Sequence, residues 1–156
     1  MPLLEQLYKN GTLTLFHADD DMDDAMIFQE VIQEISPQIK VHTVHNGHEL
    51  CELLTSLQPD IIFLDLDMPK KNGLECLIDI RKMKPYTSVP IVVYSSTTRA
   101  SNIETAYQMG ADLFFIKPPV FAELLSSLTA ILQLDWSEPS KVKDQYYING
   151  RYTAFI

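Results

Sequence analysis

The sequence predicts an α/β protein in which helices cover both faces of a doubly wound, five-stranded parallel sheet. Five short β-prone runs alternate with five longer segments whose apolar residues recur at helical spacing. The third run, residues 60–67, is apolar almost throughout, as is typical of strands buried on both faces. The 156 residues are enough for one domain with a substantial core. Because crossovers between parallel strands are right-handed, few topologies remain.

The first part of the chain supplies two strand–helix pairs. The run TLTLF (12–16) is interpreted as a buried strand, and residues 22–35 carry apolar side chains at helical spacing until Pro37 ends the helix. The run IKVHTVH (39–45) alternates apolar and polar residues like a half-buried strand. Residues 46–57 then return to the helical period.

Three more pairs follow. DIIFLDLD (60–67) is a strand, and the helix predicted at 73–84 has basic residues in its last turn, where they favour the helix dipole. VPIVVYSS (89–96) is rich in β-formers, and the short helix at 100–109 is closed by Gly110. ADLFFI (111–116) is the last strand, and the last helix covers 121–134.

Composition limits the function. A net charge of −9 argues against nucleic acid and against anionic membranes, and it suits a protein that gathers a cation. No apolar run approaches the roughly 20 residues of a membrane span, and the first residues lack the pattern of a secretory signal, so a cytoplasmic protein is expected. Cys51 and Cys76 are interpreted as reduced core thiols. The four histidines are interpreted as surface residues rather than metal ligands: His17, His42, His45 and His48.

Polar side chains follow four of the predicted strands. Residues 19–21 are all Asp after the first strand, Asp65 follows the third, Ser95 the fourth and Lys117 the fifth. In open parallel sheets, function gathers in the crevice at the carboxyl ends of the strands. These carboxylates, the hydroxyl and the ammonium are therefore expected to meet on one rim.

That combination fits phosphoryl chemistry. Carboxylates are the hard ligands that Mg²⁺ prefers, and it commonly takes one or two of them together with water and phosphate oxygens. A cation beside a carboxylate and a phosphoryl group offsets transition-state charge, and a lysine adds a second positive charge. Asp21, Asp23 and Asp24 are interpreted differently, as acidic residues that favour the dipole at a helix start.

Four motifs together resemble the receiver domain of bacterial response regulators. They are ADDD (18–21), DIIFLDLDMPKKNGLE (60–75), VPIVVYSS (89–96) and GADLFFIKPP (110–119). Each follows the expected strand in the family's order, and the resemblance covers residues 12–134. It implies the flavodoxin-like (βα)5 fold with strand order 2-1-3-4-5. It also implies a signalling phosphoacceptor rather than an enzyme, capable only of self-phosphorylation and self-dephosphorylation.

The resemblance assigns the acceptor and the metal site residue by residue. Asp65 matches the phosphoacceptor, which takes a phosphoryl group from a histidine kinase or a phosphotransfer protein. Asp20 matches the direct Mg²⁺ ligand, and Asp19 the residue that acts through water. The backbone carbonyl of Asp67 matches the third protein ligand.

The resemblance also implies a two-state switch. Ser95 and Lys117 are expected to move toward the phosphoryl group, and Phe114, at the aromatic switch position, to turn inward. The face made by the fourth helix, the fifth strand and the fifth helix would then change shape and bind an unknown downstream protein.

Two other interpretations stay open. Residues 65–67, DLD, resemble the Asp-x-Asp signature of haloacid-dehalogenase-like phosphatases, although the acidic pair comes first here and last in those enzymes. A receiver-like binding module that is never phosphorylated is the other. Degenerate versions of that kind usually lose an acidic residue, the acceptor or the lysine, and none is lost here.

The ends of the chain flank the predicted domain. Residues 1–11 form an N-terminal extension in which Leu3, Leu4 and Leu7 suggest a short packed helix. Residues 135–156 form a tail without an output domain, so a single-domain response regulator is expected. Within the tail, 135–144 is interpreted as a polar linker, and Asn149-Gly150 between β-prone runs signals a hairpin. A homodimer through this tail is a further expected assembly.

Overall fold

A computed structural model, which describes residues 2–156, contains the five-stranded parallel sheet. Its strands are β1 (Leu13–Ala18), β2 (Ile39–Val44), β3 (Ile61–Leu64), β4 (Ile91–Ser95) and β5 (Leu113–Ile116). The strand order is β2-β1-β3-β4-β5, with every neighbouring pair parallel. The predicted fold class and strand order are therefore confirmed.

Helices connect the strands and extend both ends of the chain. They are α1 (Leu3–Asn10), α2 (Met22–Ile35), α3 (Gly47–Ser56), α4 (Gly73–Lys82), α5 (Ala100–Gln108), α6 (Phe121–Leu132) and α7 (Pro139–Gln145), with a 3₁₀ turn at Lys84–Tyr86. The face predicted to change shape thus consists of α5, β5 and α6. In the part of the chain described, no helix is long and apolar enough to cross a membrane.

Three helices that border the functional rim begin with a side-chain cap. The Asp21 carboxylate accepts hydrogen bonds from the backbone amides of Asp23 and Asp24 at the start of α2. Asn46 and Asn72 cap α3 and α4 in the same way. Such caps satisfy amides that have no partner within the helix. They fix where each helix starts relative to the end of the preceding strand.

The sheet separates two apolar clusters. One cluster joins side chains of α1, α2, α6 and α7 to one face of the sheet, and the other joins side chains of α3, α4 and α5 to the opposite face. Strands β1, β3 and β4 are buried almost throughout. Burial on both faces explains why these strands are continuously apolar in sequence.

Both ends of the chain pack against the domain. Leu3 and Leu7 of α1 are buried in the first cluster together with Trp136 and Val142. The interpretation of 135–144 as a polar linker is therefore wrong: α7 forms there, and Trp136 donates a hydrogen bond to the Ile131 carbonyl. A buried indole N–H commonly has a hydrogen-bond partner, and the Ile131 carbonyl is that partner here.

The last residues form a hairpin and then return to the sheet. Strands β6 (Tyr147–Ile148) and β7 (Arg151–Tyr152) pair antiparallel. The turn between them uses positive φ angles, 54° at Asn149 and 80° at Gly150, which these two residue types tolerate best. Beyond the hairpin, Phe155 forms a parallel bridge with Phe115 of β5.

Candidate functional site

Three carboxylates meet where β1 and β3 end. The two strands are adjacent, and the Asp65 amide donates to the Ala18 carbonyl at 2.9 Å. Asp19 and Asp65 are 0% and 6% exposed, whereas Asp20 is exposed. One side-chain oxygen from each of Asp19, Asp20 and Asp65 lies within 4.8 Å of the other two. The rim predicted from the strand ends is therefore a compact acidic cluster.

Lys117 reaches into this cluster from the end of β5. Its Nζ lies 2.9 Å from Asp19 Oδ2, 2.8 Å from Asp24 Oδ2 and 3.6 Å from Asp65 Oδ2. The ammonium also lies 5.2 Å from the centre of the Tyr94 ring, close enough for a cation–π attraction. Lys117 is thus the positive centre of a mainly acidic pocket.

Burial and neighbouring charge separate the two buried carboxylates. The pKa of Asp65 is raised to about 7; burial is the main cause, the Lys117 ammonium opposes it, and the Asp19 charge adds to it. Burial also acts to raise the pKa of Asp19, but contacts with His17, Lys117 and the Asp21 amide outweigh it, so this pKa lies well below its usual range. Asp19 is therefore a fixed anion, and Asp65 is the group whose charge responds to its surroundings.

The donor set suits a hard divalent cation. Carboxylate oxygens from Asp19, Asp20 and Asp65 already converge, and Mg²⁺ prefers oxygen ligands of this kind. The Asp67 side chain is exposed and lies outside the cluster, while its amide donates to Asp65 Oδ1 at 3.4 Å. Asp20 and Asp67 both line a cleft of about 520 Å³ beside the acceptor.

Gly73 is what lets α4 begin directly against the acceptor strand. A Cβ atom at this position would lie 2.3 Å from the Asp65 carbonyl oxygen and 2.6 Å from Leu66 Cα. The Gly73 amide also donates to the Leu66 carbonyl at 2.9 Å. The loop of residues 66–72 therefore closes tightly over the acceptor.

Ser95 and Phe114 are both fully buried. The Ser95 hydroxyl accepts from the Thr97 amide at 3.3 Å, and the Lys117 amide donates to the Ser95 carbonyl at 2.8 Å. Phe114 is 0% exposed and packs in the apolar cluster beneath α3, α4 and α5. The expected inward turn of Phe114 is therefore not available from this conformation, because the ring already lies inside.

Sequence reasoning missed three residues of the site. Asp24 was assigned to the helix dipole but holds Lys117, and Tyr94 lies under the same ammonium. His17 is not a surface residue: it is 0% exposed, stacks on Phe28 and brings Nε2 to 3.6 Å from Asp19 Oδ2. A signal for His17 was available, since a strand buried on both faces leaves no outward position for its fifth residue.

Comparison with known proteins identifies the family of the chain and supports the fold. The family model for the response regulator receiver domain matches residues 15–129. The sensory transduction protein BceR of Halalkalibacterium halodurans is 32% identical over 112 residues, which are 71% of this chain and 47% of BceR. The nitrate/nitrite response regulator NarL of Escherichia coli K12 is 39% identical over 109 residues, 68% of this chain and 50% of NarL.

Solved structures give the same result. The phosphorylated cyanobacterial phytochrome response regulator RcpA aligns with a TM-score of 0.71 at 26% identity, covering 77% of this chain and 91% of that protein. The Mn²⁺-bound form of the response regulator Rcp1 aligns at 0.68 and 21% identity, over 76% and 91%; at this identity the likeness concerns the fold.

The chain belongs to the response regulator receiver domain family. Such domains are signalling modules of two-component systems, and the family supports a phosphoacceptor role for this chain. The chain spans about half the length of BceR and NarL, and 29% of a protein-glutamate methylesterase from Geobacillus kaustophilus that it also matches.

Proposed function

We propose that the protein is the phosphoacceptor of a two-component phosphorelay, working in the cytoplasm. Asp65 takes a phosphoryl group from a histidine kinase or a phosphotransfer protein, and the charge gained at the rim switches the binding of a downstream protein. The observation that carries the proposal is the convergence of the buried Asp65 carboxylate with those of Asp19 and Asp20, beside the Lys117 ammonium at 3.6 Å from Asp65 Oδ2.

Asp65 is the nucleophile. One of its oxygens bonds to phosphorus as the bond from phosphorus to the donor atom breaks, and the electron pair of that bond stays with the donor. Burial of the Asp65 side chain restricts water, and the Asp67 amide donates to Oδ1 at 3.4 Å, which leaves Oδ2, the oxygen beside Lys117, for the attack. The product is an aspartyl phosphate on the rim.

Asp19, Asp20 and Asp65, with the Asp67 carbonyl, would hold the Mg²⁺ that this reaction needs. When bound, the cation supplies positive charge that offsets the charge developing on the phosphoryl oxygens. Asp20 is the exposed member of the cluster and so the one open to exchange with solvent.

Lys117 and Ser95 are the residues that respond to the charge of the phosphoryl group. Lys117 Nζ is 3.6 Å from Asp65 Oδ2, so a modest shift brings it to a phosphoryl oxygen. The Lys117 amide bonds to the Ser95 carbonyl, so the two residues move as a pair. Phe114 follows β5 rather than turning inward, and the α5–β5–α6 face is the surface that responds.

The test is labelling with acetyl phosphate and Mg²⁺, read by intact mass and by the site of the added phosphoryl group. Wild type is expected to gain one phosphoryl group, Asp65→Asn none, and Asp67→Asn, which keeps the backbone carbonyl, one. A chain that is never labelled under these conditions would be a receiver-like binding module instead. Sustained turnover of p-nitrophenyl phosphate would favour the phosphatase interpretation.

A further inference from the structure

The outer edge of β5 is occupied by the C-terminal segment of the chain. The Phe155 amide donates to the Phe114 carbonyl at 2.7 Å, and the Ile116 amide donates to the Phe155 carbonyl at 3.2 Å. These two bonds flank the parallel bridge between Phe115 and Phe155. Since β5 is the last strand of the sheet, this is its free edge, and the segment adds to it as a short extra strand.

Tyr107 of α5 joins the segment to the sheet. Its hydroxyl accepts from the Phe114 amide at 2.9 Å and donates to the Thr153 carbonyl at 2.8 Å. Its ring stacks on Tyr152, with centroids 4.6 Å apart and an interplanar angle of 16°. One buried side chain therefore binds β5 with its acceptor and the segment with its donor.

Two charged groups, one on α5 and one on α7, complete the surface. The Glu104 carboxylate accepts from the Tyr152 amide at 2.9 Å. Lys143 donates to the Tyr107 carbonyl at 2.8 Å, and its ammonium lies 5.4 Å from the centre of the Tyr152 ring. The surface thus binds two backbone amides, two backbone carbonyls and aromatic rings of the segment, which are features of an extended aromatic peptide.

The attachment is limited in extent. Residues 152–155 are only half-buried, and Tyr147 and Ile148 of the hairpin are 52% and 49% exposed. A two-stranded hairpin has little stability of its own in water. Segments with few buried contacts open without unfolding of the whole domain, so the segment is able to leave while the sheet stays intact.

The attachment also lies beside the phosphoacceptor site. Ile116, which donates to Phe155, directly precedes Lys117, and Lys117 is bonded through its amide to Ser95 and through its ammonium to Asp19 and Asp24. If the Lys117 backbone follows its ammonium toward Asp65, the end of β5 moves inward, away from its outer edge. The longer of the two backbone bonds, from Ile116 to Phe155, is the first that such a shift breaks.

We propose that α5 and the outer edge of β5 form a binding surface for an extended aromatic segment. The chain's own residues 152–155 occupy this surface in cis, and a phosphoryl group on Asp65 releases them. The release rests on the proposed function, whereas the occupancy does not. A downstream protein that presents an aromatic strand would then compete for the surface only after phosphorylation. The two events are thermodynamically linked. If a phosphoryl group or its mimic at the site weakens attachment of the segment by a given factor, then loss of the segment tightens binding of the mimic by the same factor.

The test uses the full chain with Mg²⁺ and beryllofluoride, a phosphoryl mimic, and follows amide hydrogen exchange by NMR. Loading is expected to speed exchange at the Phe155 and Ile116 amides about tenfold or more, while the Ile62 amide, bonded to the Pro90 carbonyl in the sheet, is unchanged. Phe155→Ala should speed exchange of the Ile116 amide without beryllofluoride, and it should tighten beryllofluoride binding by up to the factor by which loading speeds exchange in wild type. Ile156→Ala, at a neighbouring residue that is 94% exposed, should do neither.

The possible results separate the ideas. Loading of wild type without faster exchange overturns the release and leaves the proposed function standing. A chain that neither loads nor becomes phosphorylated at Asp65 overturns the proposed function and the release together, while the Phe155→Ala exchange data still decide the occupancy. Protection of the Phe155 amide that disappears on dilution would mean that the segment comes from a second copy, and it would overturn the occupancy in cis.

Discussion

Lys117 and Asp24 form an ion pair at 2.8 Å, while the same ammonium stands 3.6 Å from Asp65. The lysine is therefore held toward the start of α2 and away from the residue proposed to carry the phosphoryl group. Any movement of Lys117 toward a phosphoryl oxygen must give up part of this contact. The Asp24–Lys117 ion pair therefore opposes the movement of Lys117 toward a phosphoryl group on Asp65.

Replacing Asp24 by Asn should make loading easier. The partly exposed carboxylate competes with the phosphoryl group for Lys117, and such pairs contribute up to about 1 kcal/mol. We expect Asp24→Asn to bind Mg²⁺–beryllofluoride up to about fivefold more tightly, as measured by titration. Asp23→Asn removes the same charge from the same turn without touching Lys117 and should leave the affinity unchanged; equal effects in both variants would point to net charge alone.

Asp65→Asn should stabilise the metal-free protein in a pH-dependent way. The folded-state pKa of Asp65, about 7, lies above its unfolded value, so its contribution is favourable at low pH and is lost as the pH rises through 7. Relative to wild type in EDTA, Asp65→Asn should gain on the order of 2 kcal/mol in free energy of unfolding above pH 7 and little below pH 4. Urea unfolding at several pH values checks this; a gain that does not vary with pH would contradict it.

Adding Mg²⁺ provides the matching control for Asp65. The cation should stabilise wild type at pH 8 by offsetting the same repulsion, and it should stabilise Asp65→Asn less, because one carboxylate ligand is gone.

Gly73→Ala should damage the acceptor loop as well as stability. The added methyl group would contact backbone atoms of Asp65 and Leu66, which cannot rotate away as a side chain would. We expect a loss of about 2 kcal/mol or more in the free energy of unfolding and slower labelling of the folded fraction by acetyl phosphate. Gly110→Ala, strained by a φ of 120° and by contact with the Arg81 side chain at the start of β5, should lose stability without slowing the labelling.

His17 should make the protein sensitive to mild acid. Burial lowers the pKa of its imidazole, which is only partly countered by Asp19. The unfolded chain therefore takes up a proton below about pH 6.5 that the folded protein does not, so stability falls as the pH falls. His17→Phe should reduce the decline between pH 7 and 5.5 by roughly 1 kcal/mol, measured by urea unfolding, and His48→Phe, at an exposed position, should leave it unchanged.

Much of the fold was predictable because it depends on local patterns. Strands buried on both faces must be apolar throughout, and helices that pack with one side on the sheet must have an apolar stripe, so β1 to β5 and the helices between them can be predicted from the sequence. The acidic rim was predictable for a topological reason, since parallel strands carry their last residues to one edge.

Other features depend on geometry that no local pattern specifies. Asp23 and Asp24 look alike in sequence, and only the rotation of α2 decides that Asp24 faces Lys117. Trp136 is buried in a cluster that includes α1, which lies far away in sequence, as well as the neighbouring α6. The aromatic residues of the tail were expected to pack on the domain or on a partner, but no local pattern specifies that Phe155 pairs with the edge of β5.

The single bridge at Phe155 has a practical consequence for how the molecule behaves at high concentration. With that bridge in place, β2 is the one edge strand of the five-stranded sheet that no other described segment covers. Its Lys40 and His42 disfavour pairing with a strand of another molecule. Without the bridge, the apolar edge of the sheet at Leu113–Ile116 would be free to pair with an edge strand of another molecule. Preparations that carry changes near Phe155 should therefore be handled dilute, since oligomers formed through this border would be artefacts of exposure.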